Sequence, residues 1–189
     1  MNIFYLNNDP KTCAQMHNDS HCSKMIIEYA QLMSTAHRVL DGEEYYAKTK
    51  NGRRIKRWLH PDPVMEETLY KASHVKHPSG IWTRKSVQNY KWLYDMWTEL
   101  NNEFIYRYRS GSLMPHESYR KLKDVLKTPP KHMYELGFCE PYPAMPDDVK
   151  YPSSIKSYHQ YYINYKQHLA KWSKRGAPYW YEQVGLRSA

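Results

Sequence analysis

Glycine is scarce in this 189-residue chain: there are seven, none in the GxGxxG or Walker spacing that cradles a phosphate. Chemistry driven by a bound nucleoside triphosphate or dinucleotide is therefore not expected, and no cofactor is assigned. Cysteine is scarcer still. Cys13, Cys22 and Cys139 make neither a CxxC pair nor an even set, which excludes a disulfide framework and fits a reducing cytoplasm. No apolar run approaches the ~20 residues of a membrane span, and the first residues lack a signal-peptide pattern. Repeats and low-complexity tracts are missing too. These absences point to a soluble cytoplasmic protein, with no membrane partner.

What is present is positive charge and tyrosine. The net charge is +9, with only three phenylalanines against 19 tyrosines and six tryptophans. The mean hydropathy is −0.90 and the isoelectric point near 9.3. A disordered basic tail would lack the aromatics, so the chain should fold as one domain over 1–189. The charge calls for a polyanionic partner, and amphipathic rings beside it suit stacking on nucleic-acid bases. The same rings also suit a tyrosine-rich core.

The periodicity predicts a mainly α, compact single-domain fold with a small β-hairpin insertion. Residues 2–7 read as a short strand or a buried opening segment. Asp9-Pro10 supplies an N-cap and a first-turn proline for a helix to about His17, and Asp62-Pro63 repeats the device for a helix to about Lys71. The strongest helix runs from Ser20, read as its N-cap, to about Leu40, with Gly42 as its stop. A loop holds His74, His77 and Pro78. A long helix begins at Ser86, with a break near Asn101-Asn102 contemplated, and a short one near Pro115 ends before Pro129. Residues 128–152 are Pro-rich and aperiodic, hence an ordered loop. A last helix is read over Ser154–Ser173 and packs Leu169 and Trp172 inside.

The 43–60 segment is the clearest strand–turn–strand pattern, turning at Asn51-Gly52. Lys48, Lys50, Arg53, Arg54, Lys56 and Arg57 put six positive charges into ten residues without an acid. Such a ribbon is expected to grip a phosphate backbone, since like charges this dense repel one another unless a polyanion relieves them. The plainer alternative is a solvated hairpin whose lysines block edge-to-edge pairing.

Glu28 is the candidate for chemistry. His21, Lys24, Glu28, Gln31 and Thr35 form a narrow polar stripe beside a broad apolar arc on the 20–40 helix. A carboxylate beside an apolar wall could serve at the rim of a pocket, whereas an ordinary Lys24–Glu28 surface pair would contribute only a few tenths of a kcal/mol. His17/His21 and His74/His77 have spacings that invite a metal, but ten histidines make such spacings common, so no metal is assigned. Cys13 and Cys22 read as core thiols. The amines available for an imine are Lys24, nearly always charged on a helix, and the chain terminus, whose reference pKa of about 8 favours attack.

Three segments resemble the pyrimidine-dimer DNA glycosylase family, of the endonuclease V type carried by phages and large viruses. They are the opening MNIFYL with Asp9-Pro10, the pair His21 and Glu28 in HCSKMIIE, and the closing RGAPYWYEQVG. With the apolar helix that follows the second and the polar helix that leads into the third, they cover about a third of the chain. The resemblance implies a compact all-α fold that flips a nucleotide and forms an imine through its N-terminal amine. By it Glu28 matches the catalytic glutamate, His21 the histidine that positions sugar and phosphate, and Trp180 and Tyr181 the tail aromatics facing DNA. Ile27 and Gln31 stand where the family has arginines. Asn2 stands where the family exposes a small residue after removing its initiator, which would leave the amine on Met1. The 43–60 hairpin and the 128–152 loop are apparent additions.

The combined expectation is a DNA-binding enzyme acting on the base–sugar bond, through Met1, Glu28 and His21. Lys24, the hairpin cations, Trp180 and Tyr181 would hold the nucleic acid. The rivals are a viral DNA base-modification enzyme on the same scaffold, a non-enzymatic nucleic-acid-binding protein, and a small-molecule enzyme.

Overall fold

A computed structural model describes residues 1–185. Among them are eight α-helices and a two-stranded antiparallel sheet. Ile3–Leu6 is not a strand but an extended segment, buried in the core. Helix α1 (Pro10–Met16) starts as its Asp-Pro signature requires, with the Asp9 carboxylate accepting from Thr12 N at 2.8 Å. Helix α2 (Asp19–Asp41) begins two residues earlier than a cap at Ser20 implies, because Asn18 is the cap and accepts from His21 N at 2.8 Å.

Gly42 does end α2, though with φ −96° rather than in the left-handed region. Its lack of a side chain serves close approach: a Cβ there would lie 2.5 Å from the Arg38 carbonyl and 2.9 Å from that of Leu59. The chain therefore passes directly into β1 (Glu43–Lys48), which pairs with β2 (Arg54–Leu59) in the register Lys48↔Arg54 to Glu43↔Leu59. The turn is one residue longer than a two-residue Asn-Gly hairpin. Gly52 N donates to Thr49 O, Thr49 N donates to Arg53 O, and only Gly52 of the Asn-Gly pair has positive φ (75°). Arg38, buried at the end of α2, ties the base of this ribbon down. Its guanidinium donates to the carbonyls of Trp58, Glu66, Leu69 and Tyr70 and to the Glu66 carboxylate.

Helix α3 (Pro63–Thr68), capped by Asp62, stops three residues short of the expected Lys71. Helix α4 (Pro78–Lys85) occupies what reads in sequence as loop and linker; His77 is its cap and Pro78 its first residue. Helix α5 (Val87–Tyr108) runs unbroken through Asn101, whose buried Oδ1 accepts from His116 N. Helix α6 (Glu117–Leu122) follows. The proline-rich stretch is a loop with one 3-10 turn, Asp147–Val149. It is pinned by Trp82 Nε1 donating to Cys139 O and by the Tyr158 hydroxyl donating to Tyr142 O.

The expected 154–173 helix is shorter. Helix α7 (Ser154–Tyr165) ends at Lys166, a short 3-10 turn spans Gln167–Leu169, and α8 (Tyr179–Gly185) folds back on α7. One hydrophobic cluster joins the opening segment to residues of α1, α2, α4, α5, α7 and α8. No helix among the described residues is long and apolar enough to cross a membrane.

Candidate active site

The opening segment is laid across α2 by its own side chains. Ile3 and Leu6 are fully buried. Phe4 N–H donates to the Tyr29 hydroxyl at 3.2 Å, and that hydroxyl donates to His17 Nε2 at 3.0 Å. His17 completes the chain by donating from Nδ1 to Cys13 O at 2.8 Å. The Met1 carbonyl accepts from Ser79 Oγ on α4 at 3.1 Å. These bonds fix the start of the chain, and Glu28 lies beneath it.

The Met1 α-amine is 3.8 Å from Glu28 Oε2, and Lys24 Nζ is 3.4 Å from Oε1. The carboxylate is only 19% exposed, while Lys24 is 66% exposed. Both separations exceed the usual hydrogen-bond length, so the amine and the carboxylate face each other without being locked in a hydrogen bond. They share a cavity of about 270 Å³ whose wall also includes Asn2, Phe4, His21, Ala144, Tyr161 and Lys166. Lys166 lies over the Tyr161 ring at 5.0 Å, adding a third cation.

His21 closes the inner wall. Its ring stacks on Phe4 (4.2 Å, 19°) and its Nδ1 is 2.6 Å from the Tyr162 hydroxyl. Burial, reinforced by His17, Lys166, Lys24 and His168, pushes the His21 pKa down to about 3. Burial likewise holds the Tyr162 hydroxyl protonated, far above its usual range. A neutral imidazole fixed in this way can orient a sugar or accept a hydrogen bond, but it brings no charge of its own.

In both histidine pairs with metal-like spacing, ring nitrogens are already engaged within the protein. His17 is satisfied by Tyr29 and Cys13, and burial pushes its pKa down to about 4. His77 spends Nδ1 on Ser79 N in capping α4. It does have another relevance, because after burial the largest influence lowering its pKa is the N-terminal amine, and Glu28 acts in the opposite sense. His77 therefore lies within electrostatic reach of the amine–carboxylate pair. Cys13 and Cys22 are core thiols, each pushed up to about 12 mainly by burial, which keeps them from acting as nucleophiles.

The hairpin is exposed along most of β1 and half of β2. Lys56 is the one hairpin cation with an ion-pair partner among the described residues: Glu44, across the ladder, at 2.7 Å. Arg54 lies 3.5 Å above the Tyr46 ring. Lys48, Lys50, Arg53 and Arg57 flank these two. Between β2 and residues 72–76 runs a groove of about 650 Å³, lined by Lys56, Arg57, His74 and Lys76 among others. Ser73 is fastened to α2 by reciprocal bonds with Thr35 Oγ1 (3.2 and 3.3 Å). One residue beyond Lys76 comes His77. A single short stretch thus connects the cationic groove to the amine and Glu28.

Of the two closing aromatics, Trp180 does not lie on a binding face. Trp180 is 7% exposed, stacked on His159 (4.1 Å, 9°) and edge-on to Tyr162. It belongs to the core, because α8 folds back onto α7 and buries its apolar side. Tyr181 is half-buried against Trp172 at 4.9 Å. Trp172 itself is only partly buried, with its indole N–H on Met16 O at 2.9 Å, and Leu169 is half-buried in the 3-10 turn.

Met1, Lys24, Glu28 and His21 are therefore brought together, and the six hairpin cations share one ribbon. Asn2, Ala144, Tyr161, Lys166 and His77 complete the neighbourhood without having been anticipated. No protein-family model matches the chain, and no curated protein or solved structure is significantly similar to it.

Proposed function

We propose that the protein is a DNA-binding enzyme acting on the base–sugar bond, an N-glycosylase with lyase capacity. The observation that carries this reading is the Met1 amine held 3.8 Å from a largely buried Glu28 carboxylate in a small cationic cavity. The amine's lone pair forms a bond to C1′ as the base departs with the glycosidic electron pair. Glu28 takes a proton from the nitrogen and returns it to O4′, opening the sugar ring and leaving an imine. Lys24 and Lys166 favour the approach of phosphate, and the Phe4–His21 stack forms an apolar wall for the extruded nucleotide. The fit to the glycosylase resemblance supports the same assignment.

The direct test is reductive trapping. A duplex with one abasic site, incubated with the protein and borohydride, is expected to yield a covalent adduct that peptide mapping places on the α-amine of Met1. The same map reports whether Met1 carries a free amine. No adduct, or one confined to lysine side chains, overturns the mechanism. The second reading is a nucleic-acid-binding protein in which Glu28 only neutralises Met1 and Lys24, and the 3.4 Å Lys24 contact favours it. DNA binding without an adduct is its signature.

The hairpin supplies a separate prediction. If its cations release counterions from DNA, log affinity falls steeply with log salt, and removing each phosphate contact shallows the slope by about one. Arg53→Ala with Arg54→Ala is expected to shallow it by about two in a salt series of gel shifts or anisotropy titrations. An unchanged slope and affinity would remove the hairpin from the interface.

A further inference from the structure

A second cluster lies on α2 at its C-terminal end. His37 and Asp41 are one turn apart there, and β2 delivers His60 beside them as it leaves the sheet. One ligand atom from each of the three lies within 4.8 Å of the others. His37 is 3% and His60 8% exposed, yet His37 Nδ1 and His60 Nε2 have no hydrogen-bond partner. Two buried nitrogens left bare side by side require an explanation.

The hydrogen bonds fix the state of His37. The Tyr90 hydroxyl donates its proton to Leu126 O at 2.9 Å, so at 2.9 Å from His37 Nε2 it must accept. With its proton on Nε2, His37 turns the Nδ1 lone pair toward the cavity, whose wall also carries Thr128. Asp41 is positioned as firmly, by the amides of Lys131 and His132 and by the His132 ring at 2.9 Å. Each of these two residues has the outer partner that orients a metal ligand: Tyr90 behind His37, and His132 behind Asp41. The cavity they face measures about 580 Å³ and is lined also by Asp62, whose carboxylate caps α3, by Asp124, which pairs with Lys123, and by Lys131 and His132.

We infer that His37, Asp41 and His60 bind one divalent transition-metal ion of the zinc class, with the fourth position open to the cavity and filled by water. Two imidazoles and a carboxylate suit zinc, whereas magnesium and calcium favour all-oxygen shells. Metal bonds of about 2.0–2.2 Å bring such ligand atoms closer than the present limit of 4.8 Å, so loading draws the three side chains together. It also requires the His60 proton on Nδ1, which releases the 3.2 Å contact from Asp62 N. The site shares no residue with the Glu28 cavity. On an α-helix the nine residues from Glu28 to His37 span about 13 Å and about two and a half turns, so the two sites face opposite ways. The inference stands apart from the glycosylase reading.

The test uses the full chain, stripped with a chelator and titrated with Co²⁺. The expected result is uptake of one equivalent, with the intense visible bands of a low-coordinate cobalt site, displaced by Zn²⁺. Asp41→Asn and His60→Gln abolish the bands. Tyr90→Phe, which keeps every ligand, weakens affinity by about 10–100-fold. The wild-type titration needs no variant. No saturable uptake, only the faint bands of a six-coordinate aqua ion, preference for Mg²⁺ over Zn²⁺, or undiminished bands in folded Asp41→Asn and His60→Gln overturns the site.

Discussion

Trp180→Ala lowers the stability of the protein by about 3–5 kcal/mol, the usual cost of emptying a large aromatic site, and leaves DNA affinity essentially unchanged. The indole is stacked on His159, meets the edge of Tyr162, and points Nε1 at Met16 Sδ from 3.5 Å. Its removal opens a void between α8, α7 and α1 that their backbones cannot fill. Tyr162 also holds His21 at 2.6 Å, so local loosening should reach the cavity wall before the rest of the fold. Trp180→Phe separates packing from any contact with a base, because it retains an aromatic ring in the stack and should cost less than Trp180→Ala. Denaturant melts with salt-matched DNA titrations decide the matter. A stable Trp180→Ala protein that binds DNA weakly would return the tail to the binding face.

Trp180 marks where local sequence signals stop. Asp9-Pro10, Asp62-Pro63 and Ser86 announce helix starts because capping is a local bond, made within three residues. The apolar arc of α2 and the strand–turn–strand pattern of 43–60 are equally local. Whether Trp180 faces solvent depends on α8 meeting α7, a matter of distant packing with no periodic trace in so short a helix. Helix α4 escaped for a related reason: its cap is His77, not a usual capping residue, and its fully buried Trp82 stands alone rather than in a stripe.

The choice between Asn18 and Ser20 as the cap of α2 was equally non-local. Asp19 is engaged by Arg107 (3.0 Å) and by Ser173, so the first turn is anchored from two remote segments. The candidate site divides along the same line. His21, Lys24 and Glu28 share a stripe visible in sequence, but Tyr161 and Lys166 come from more than a hundred residues away. The Lys56–Glu44 pair needed the strand register. His37 and Asp41 are separated by a telling four residues, yet only the fold supplies His60 and exposes the two bare nitrogens.

Glu28→Gln is expected to reduce turnover on a base-bearing or abasic duplex by at least ~100-fold, the scale of losing acid–base catalysis. The amide keeps the shape and hydrogen-bonding reach of the side chain. It cannot take the proton that the Met1 nitrogen sheds on bonding to C1′, nor stabilise the cationic imine that follows. DNA affinity should hold or rise, since a negative charge leaves a cavity walled by Lys24, Lys166 and the amine. If the carboxylate merely balances Lys24, the variant loses no more than about 0.5 kcal/mol of stability, an upper figure given that Lys24 is 66% exposed. Turnover would then be intact. Single-turnover rates with trapping yields distinguish the cases, because the catalytic role predicts a slow adduct on normally bound DNA. An Asp at the same position sharpens the result: it restores the charge but withdraws it by one methylene from an amine already 3.8 Å away, so activity should recover only in part. A fully active Glu28→Gln protein would end the imine mechanism, whatever the hairpin binds.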